Sequence, residues 1–128
     1  MKRVSNKRRH LISSVAPFRE AFRRRVGRCE KCLESASPDN LDLHELVPGY
    51  VRSQALDKPY ALLALHRLCH WEIEALTIPH QLAYLMRSRP NDFNPEMYWK
   101  LIGRRWPDVE HVLYFLERLP IKNTKGRQ

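Results

Sequence analysis

Two short motifs with the spacing of metal ligands constrain this chain more than any other feature of its sequence. Cys29 and Cys32 are separated by two residues, and His66 and Cys69 repeat that spacing further along the chain. Thiolate sulfur and imidazole nitrogen are the ligands that tetrahedral zinc prefers, and this spacing lets both side chains of a pair face one ion. Because four ligands fill the coordination shell, we predict a structural zinc site rather than a catalytic one.

The cysteine count favours a metal site over disulfide bonds. The 128-residue chain contains three cysteines, and an odd number in a strongly basic chain does not fit a disulfide framework. A redox pair formed by Cys29 and Cys32 is the main alternative, but the βαβ pattern that accompanies such pairs does not surround them. A zinc ion would also stabilise a small domain whose hydrophobic core is thin.

The charge balance points to a polyanionic partner. Lysine and arginine total 23 against 14 acidic residues, and the resulting net charge of +9 favours binding to nucleic acid. A solvated basic surface, or a small subunit of a larger assembly such as a ribosome, would explain the same charge. No apolar run approaches the roughly 20 residues that cross a bilayer, and no signal-peptide core follows the basic start. We therefore predict an intracellular protein without a membrane partner.

The distribution of apolar and polar residues divides the chain into four segments, of which one is the main globular domain. We predict a basic, poorly ordered arm over residues 1–16 and a zinc-stabilised domain over residues 17–78. A helical extension packed on this domain is predicted over residues 79–120, and a polar tail over residues 121–128. The apolar fraction of 43% is typical of a folded chain and is too high for full disorder.

The hydrophobic pattern predicts an α+β fold. Apolar residues at helical spacing predict a first helix from Pro17 to Gly27. The partly alternating residues 41–47 and the short apolar run 61–65 predict two strands, and residues 70–76 predict a helix after them. Three further helical patterns in the extension begin at Pro79, at Pro95 with Asn94 as its cap, and after Pro107.

The order of these motifs resembles the zinc-ribbon subgroup of the HNH endonucleases. Cys-x-x-Cys is followed by Leu-Asp-Leu-His44-Glu45-Leu-Val-Pro-Gly and then by Leu-His66-x-x-Cys69-His70. The resemblance covers about residues 29–76 and is greatest to phage-associated members that have His-Glu-Ile where others have His-His-Ile. It implies a small ββα-metal core, in which a β-hairpin and the following helix hold one catalytic divalent ion. An N-terminal helix and C-terminal helices would flank this core.

The resemblance also implies a set of catalytic residues. By position, His44 and His70 would bind a catalytic Mg²⁺ or Mn²⁺ ion beside the scissile phosphate. Glu45 stands where the family usually has the histidine that acts as general base, and Ala61 stands about where it has the asparagine that orients this base. A glutamate can take the proton if its pKa is raised or if the metal lowers that of water. The implied catalytic residues are thus His44, Glu45 and His70.

An alternative assigns the base to His44 itself, with Glu45 or Glu74 helping to hold the metal ion. Glu74 lies four residues after His70, so the two side chains share one face of the predicted helix. His70 could also belong to the zinc site, since it directly follows Cys69.

We predict that two arginines contact phosphate groups. Arg52 lies in the loop after the first strand and Arg67 lies inside the second zinc motif, and a planar guanidinium can make two hydrogen bonds to one phosphate. The resulting hypothesis is a divalent-metal-dependent endonuclease that hydrolyses phosphodiester bonds of double-stranded DNA. The alternatives are a catalytically degenerate, zinc-stabilised DNA-binding module and a component of a phage nucleoprotein assembly. Glu45 and Ala61 favour the binding module, whereas His44 and His70 favour the enzyme.

Overall fold

Residues 6–120, the part of the chain that the computed structural model describes, contain a two-stranded antiparallel sheet, five α-helices and three short 3₁₀ helices. The strands are β1 (Asp42–Glu45) and β2 (Leu62–Leu65), and the helices are α1 (Asn6–Val26), α2 (Arg67–Glu74), α3 (Ile78–Ser88), α4 (Pro95–Ile102) and α5 (Val109–Arg118). The predicted α+β class is confirmed. The predicted polar tail lies outside the described residues. None of the described helices combines the length and the apolar character needed to cross a membrane.

The register of the hairpin decides which polar side chains can meet. Asp42 pairs with Leu65 and His44 pairs with Leu63 across the two strands. Because side chains alternate along a strand, Asp42 and His44 project from one face and Glu45 projects from the other. Strand β2 is buried along its whole length, as its continuous apolar sequence predicts.

Helix α1 begins before its predicted start. The predicted basic arm over residues 1–16 does not hold for residues 6–16, which form the first part of α1. Residues 1–5 lie outside the described part of the chain. Pro17, predicted to open the helix, stands inside it and removes one backbone hydrogen bond, at a cost of about 3 kcal/mol.

Apolar contacts explain why the helix continues through this proline. Leu11 and Val15 lie one helical turn apart, are half-buried, and line a recess with Leu56 and Leu101. They extend at helical spacing the apolar stripe that includes Phe22, which is buried. Burial of this longer stripe offsets the hydrogen bond that the proline cannot make.

The predicted extension over residues 79–120 forms α3, α4 and α5. His80 of α3 stacks on Phe115 of α5 with ring centroids 4.4 Å apart. The buried Tyr98 of α4 donates its hydroxyl hydrogen to the carbonyl of Leu46, directly after β1, at 2.6 Å. The extension is thus packed on the hairpin that precedes it.

The side chain of Asn94 caps α4, as predicted, by accepting a hydrogen bond from the backbone N–H of Met97 at 3.1 Å. Asn94→Ala is expected to lower the free energy of unfolding by about 1 kcal/mol, because this N–H loses its partner. Urea denaturation followed by circular dichroism measures the change. Asn91→Ala, in the exposed turn before the helix, is the control, with an expected change below about 0.5 kcal/mol. Equal losses in the two variants would contradict the capping role.

A buried ion pair joins the first zinc motif to the chain just after α3. Glu30 lies between Cys29 and Cys32, and it is fully buried. One carboxylate oxygen accepts a hydrogen bond from the backbone N–H of Ala64 in β2 at 2.9 Å, and the other accepts one from Nε of Arg89 at 2.7 Å. The same side chain therefore connects the motif, the hairpin and the end of α3.

Candidate metal centres

The four side chains predicted to bind zinc lie together. One ligand atom from each of Cys29, Cys32, His66 and Cys69 lies within 4.8 Å of the others. Cys29 is buried and the other three are half-buried. Three thiols and one imidazole are a donor set of structural zinc sites, so this zinc cluster can hold an ion such as zinc with a closed shell.

Local backbone structure positions both halves of the zinc cluster. The backbone N–H of Leu33 donates to the carbonyl of Cys29 at 2.8 Å, which closes a tight turn around the first pair. Leu33 has a φ of 68°, a left-handed conformation that few residues with a side chain adopt. The second pair opens α2, with His66 as the N-cap residue and Cys69 in the first turn. A turn and a helix start thus present two ligands each.

The three thiols differ in how readily they ionise. Burial opposes ionisation of Cys29, yet backbone N–H groups, including that of His66 at 3.4 Å from Sγ, lower its pKa. Burial and the neighbouring Cys29 raise the pKa of Cys69 to about 12. Burial also raises the pKa of Cys32. A cation among the sulfurs would stabilise all three as thiolates, which is the form that zinc binds.

His44, His70 and Glu74 form a second group, the histidine–glutamate cluster, whose ligand atoms also lie within 4.8 Å of one another. Nε2 of His70 is 3.2 Å from Nδ1 of His44 and 3.3 Å from a carboxylate oxygen of Glu74. His44 comes from β1, and the other two residues lie one turn apart on α2. The hairpin and the following helix therefore meet at this cluster.

Exposure increases across the histidine–glutamate cluster. His44 is 6% exposed, whereas the side chains of His70 and Glu74 are 19% and 44% exposed. The cluster is thus closed toward the core and open to solvent at Glu74. Three protein ligands with an open side are typical of catalytic metal sites, whereas four ligands close a structural site.

The ring nitrogens that point away from this cluster both have hydrogen-bond partners. Nδ1 of His70 is 3.1 Å from the carboxylate of Asp42, which shares a face of β1 with His44. Nε2 of His44 is 2.7 Å from the amide oxygen of Gln81, a buried residue of α3. Partners of this kind fix the tautomer and the ring orientation of metal-binding histidines.

These partners leave three hydrogen-bond acceptors facing one another. When His44 donates from Nε2 and His70 donates from Nδ1, their unprotonated nitrogens face each other, and Glu74 adds a carboxylate oxygen. Burial lowers the pKa of His44, which favours the neutral ring that a metal requires. A divalent cation would satisfy all three acceptors, so the residues fit a metal ion.

The structure does not bring Glu45 into the histidine–glutamate cluster. Its side chain lies on the opposite face of β1, is 7% exposed, and accepts a hydrogen bond from Arg19 at 3.0 Å. Its other carboxylate oxygen is 3.5 Å from Nε of Arg52. Ala61, where the resemblance implies an asparagine, is fully buried and has only a methyl group as its side chain. The assignment of Glu45 as general base stays a prediction.

Both arginines predicted to bind phosphate contact carboxylates. Arg67 donates from Nε and Nη2 to the two oxygens of Asp42 at 2.8 and 3.3 Å, although 71% of its side chain is exposed. Arg52 is 52% exposed beside Glu45. Their phosphate contacts stay predictions, and Arg67 also holds the carboxylate that orients His70.

The sequence identified the candidate metal ligands of the histidine–glutamate cluster but not the residues that form hydrogen bonds with them. Asp42 could have been found from the alternation of a strand, which places it on the face of His44. Gln81 and Arg19 gave no such signal, because their contacts with the strand span 37 and 26 residues. Glu74, considered only as an alternative ligand, belongs to the cluster.

Comparisons with known proteins give no relative from which a function could be transferred. No protein-family model, no curated protein and no solved structure gives a significant match to the chain. Function is therefore inferred from the two clusters and from the charge of the chain.

Proposed function

We propose that this chain is a divalent-metal-dependent DNA endonuclease of the HNH type with a ββα-metal core. The histidine–glutamate cluster carries this proposal, because a hairpin and the helix after it bring three metal ligands together at a site that is open to solvent at Glu74. The zinc cluster supports it, since His66 and Cys69 lie at the start of the helix that carries His70 and Glu74. Zinc would then have a structural role and the second ion a catalytic one.

His44, His70 and Glu74 would hold one divalent ion, predicted to be Mg²⁺ or Mn²⁺. Two imidazole nitrogens and one carboxylate oxygen suit Mn²⁺ better than Mg²⁺, which prefers oxygen ligands. When bound, such an ion would polarise a phosphate oxygen and lower the pKa of water. Asp42 and Gln81 contribute by holding both imidazoles so that their unprotonated nitrogens face the ion.

DNA is the proposed substrate because the chain carries a net charge of +9, which attracts the phosphate backbone. Arg67 is an exposed cation linked to the cluster through Asp42, which contacts both Arg67 and His70. A phosphate group at the cluster would thus meet a guanidinium beside it. Contacts with the backbone carry no base information, so we expect salt-sensitive binding with little sequence preference.

Cleavage of a supercoiled plasmid tests the proposal. The zinc-loaded protein is expected to nick or linearise the plasmid when Mn²⁺ or Mg²⁺ is added, and to leave it intact without added metal. His44→Ala and His70→Ala are each expected to lower the rate by at least roughly 100-fold, because each removes one of three metal ligands. Zinc content and the circular dichroism spectrum should remain those of the wild type.

His111→Ala is the matched control, because it removes an exposed histidine of α5 and should leave the cleavage rate unchanged. Glu45→Gln tests whether Glu45 is the general base. It is expected to abolish cleavage if Glu45 takes the proton and to preserve it if another group does. A wild-type protein that cuts with neither metal ion would refute the endonuclease proposal.

A zinc-stabilised DNA-binding module without catalysis is the second candidate function. The ion pairs of Glu45 with Arg19 and Arg52 favour it, because they engage the carboxylate at the position where the family has its base. This module would slow the migration of plasmid DNA in a gel without cutting it. The shift should weaken steeply between about 50 and 200 mM salt.

A further inference from the structure

We propose that Gln81 is a positioning residue of the histidine–glutamate cluster and that helix α3 is therefore part of the metal centre. This role rests on the proposed function, because the cluster has to hold a divalent ion. Gln81 lies outside residues 29–76, the segment that carries the family resemblance. Its contact with His44 spans 37 residues of the chain.

The side-chain amide of Gln81 is held at both of its polar ends. Nε2 donates to the backbone carbonyl of Leu76 at 2.9 Å, and Oε1 is 2.7 Å from Nε2 of His44. Turning the amide over would place its oxygen against the carbonyl oxygen of Leu76, where no hydrogen is available to either atom. The carbonyl of Leu76 therefore fixes Gln81 as an acceptor toward His44.

An acceptor at Nε2 decides which nitrogen of His44 carries the proton. Neutral imidazole has a single N–H group, and the contact with the amide oxygen of Gln81 places it on Nε2. Nδ1 then presents its lone pair to the cluster, 3.2 Å from Nε2 of His70. Without the amide, His44 could carry the proton on Nδ1 and donate it to His70. That hydrogen would occupy the space in which the metal ion binds.

Burial prevents water from taking over the role of the amide. Gln81 is 4% exposed and His44 is 6% exposed, so their contact lies on the closed side of the cluster. An apolar side chain of similar length would leave Nε2 of His44 buried without a partner, which is unfavourable. A purely structural role of Gln81 would affect stability but would not change the tautomer of His44.

The tautomer of His44 and the affinity for Mn²⁺ test the proposal in the full, zinc-loaded chain. Long-range ¹H–¹⁵N correlation spectra of the wild type are expected to show His44 protonated at Nε2 before Mn²⁺ is added. Gln81→Met keeps the length of the side chain but removes the acceptor. It is expected to move the proton to Nδ1 and to weaken Mn²⁺ binding about 10–100-fold, measured from the paramagnetic resonance signal of free Mn²⁺.

Gln81→Glu keeps an acceptor toward His44 but turns its second oxygen toward the carbonyl of Leu76, so it is expected to keep the Nε2–H tautomer in a less stable protein. Gln54→Met removes an exposed glutamine and should change neither the tautomer of His44 nor the Mn²⁺ affinity. The proposal is overturned if Gln81→Met keeps the Nε2–H tautomer together with the wild-type affinity. It is also overturned if the wild type itself carries the proton on Nδ1 or binds no Mn²⁺. The wild-type spectrum alone tests which nitrogen of His44 carries the proton, even if a variant does not fold.

These measurements do not depend on DNA cleavage. A chain that binds Mn²⁺ with the expected dependence on Gln81 but does not cut plasmid would support the positioning role and refute the endonuclease. A chain that cuts plasmid equally well with Gln81→Met, and keeps the tautomer, would refute the positioning role alone.

Discussion

Replacing Cys29 with serine is expected to release the zinc ion and to lower the free energy of unfolding by at least about 3 kcal/mol, or Tm by about 10 °C or more. Cys29 is fully buried. Its Sγ accepts a hydrogen bond from the backbone N–H of His66, and its carbonyl accepts one from the backbone N–H of Leu33. A serine hydroxyl is a poor zinc ligand, so two segments joined by the ion would separate. Mass spectrometry of the metal content and thermal unfolding by circular dichroism measure the two effects.

Lys31→Ala is the matched control for this substitution, because Lys31 lies between the same two cysteines and is not a ligand. Its amine pairs with the exposed carboxylate of Glu72 at 3.0 Å, so its loss should cost less than about 1 kcal/mol and leave one zinc per chain. A Cys29→Ser protein that retains a full equivalent of zinc, or that unfolds with the wild type, would contradict the structural zinc site.

The candidate ligands were predictable from sequence because each pair is close in the chain. Two residues separate the members of each zinc pair, and one helical turn separates His70 from Glu74. Helix and turn geometry then fix where these side chains point, without information from the rest of the fold. Within the histidine–glutamate cluster, only His44 comes from an element other than α2, and the apolar pattern of residues 41–47 predicted that strand as well.

The surroundings of Glu45 could not be predicted in the same way. Strand alternation sends the neighbours His44 and Glu45 to opposite faces, so only His44 can join a cluster formed on one face of β1. What lies on the other face depends on tertiary packing. Arg19 reaches Glu45 from α1 and also donates to the carbonyl of Leu56 at 2.6 Å, and neither contact has a sequence pattern.

The early start of α1 shows a similar limit. A proline in the first turn of a helix and a proline inside a helix look alike in one sequence, and the first is far more common. The recess beside Leu56 and Leu101 explains why α1 begins before Pro17, because Leu11 and Val15 line this recess. The burial of Leu11 and Val15 against residues distant in the chain therefore outweighs the preference of Pro17 for the first turn of a helix.

Arg89→Met is expected to lower the free energy of unfolding by about 3–5 kcal/mol, measured by urea denaturation. The carboxylate of the fully buried Glu30 lies 2.7 Å from Nε of Arg89, whose side chain is 10% exposed. Arg89 also donates to the carbonyls of Pro59 and Leu62. Methionine keeps much of the aliphatic packing, so the main effect is a carboxylate left in the core without its cation.

Glu30→Gln is expected to cost less, about 1–2 kcal/mol. The amide oxygen can still accept the N–H of Ala64, and Arg89 keeps its ion pair with Asp92 at 2.7 Å. Combining Glu30→Gln with Arg89→Met is expected to give a protein more stable than Arg89→Met alone, because no buried charge then lacks a partner. Arg118→Met removes a surface pair with Glu117 and is the control, with an expected loss below about 1 kcal/mol.

The double variant decides which property of Arg89 stabilises the fold. If it is no more stable than Arg89→Met, the loss comes from the carbonyl contacts of Arg89 and not from the charge of Glu30. If it is more stable, the charge of Glu30 is what requires the guanidinium. Because Glu30 lies between Cys29 and Cys32, the second result would also mean that Arg89 holds the turn carrying two zinc ligands. Arg89→Met should then release zinc to a chelator faster than the double variant does.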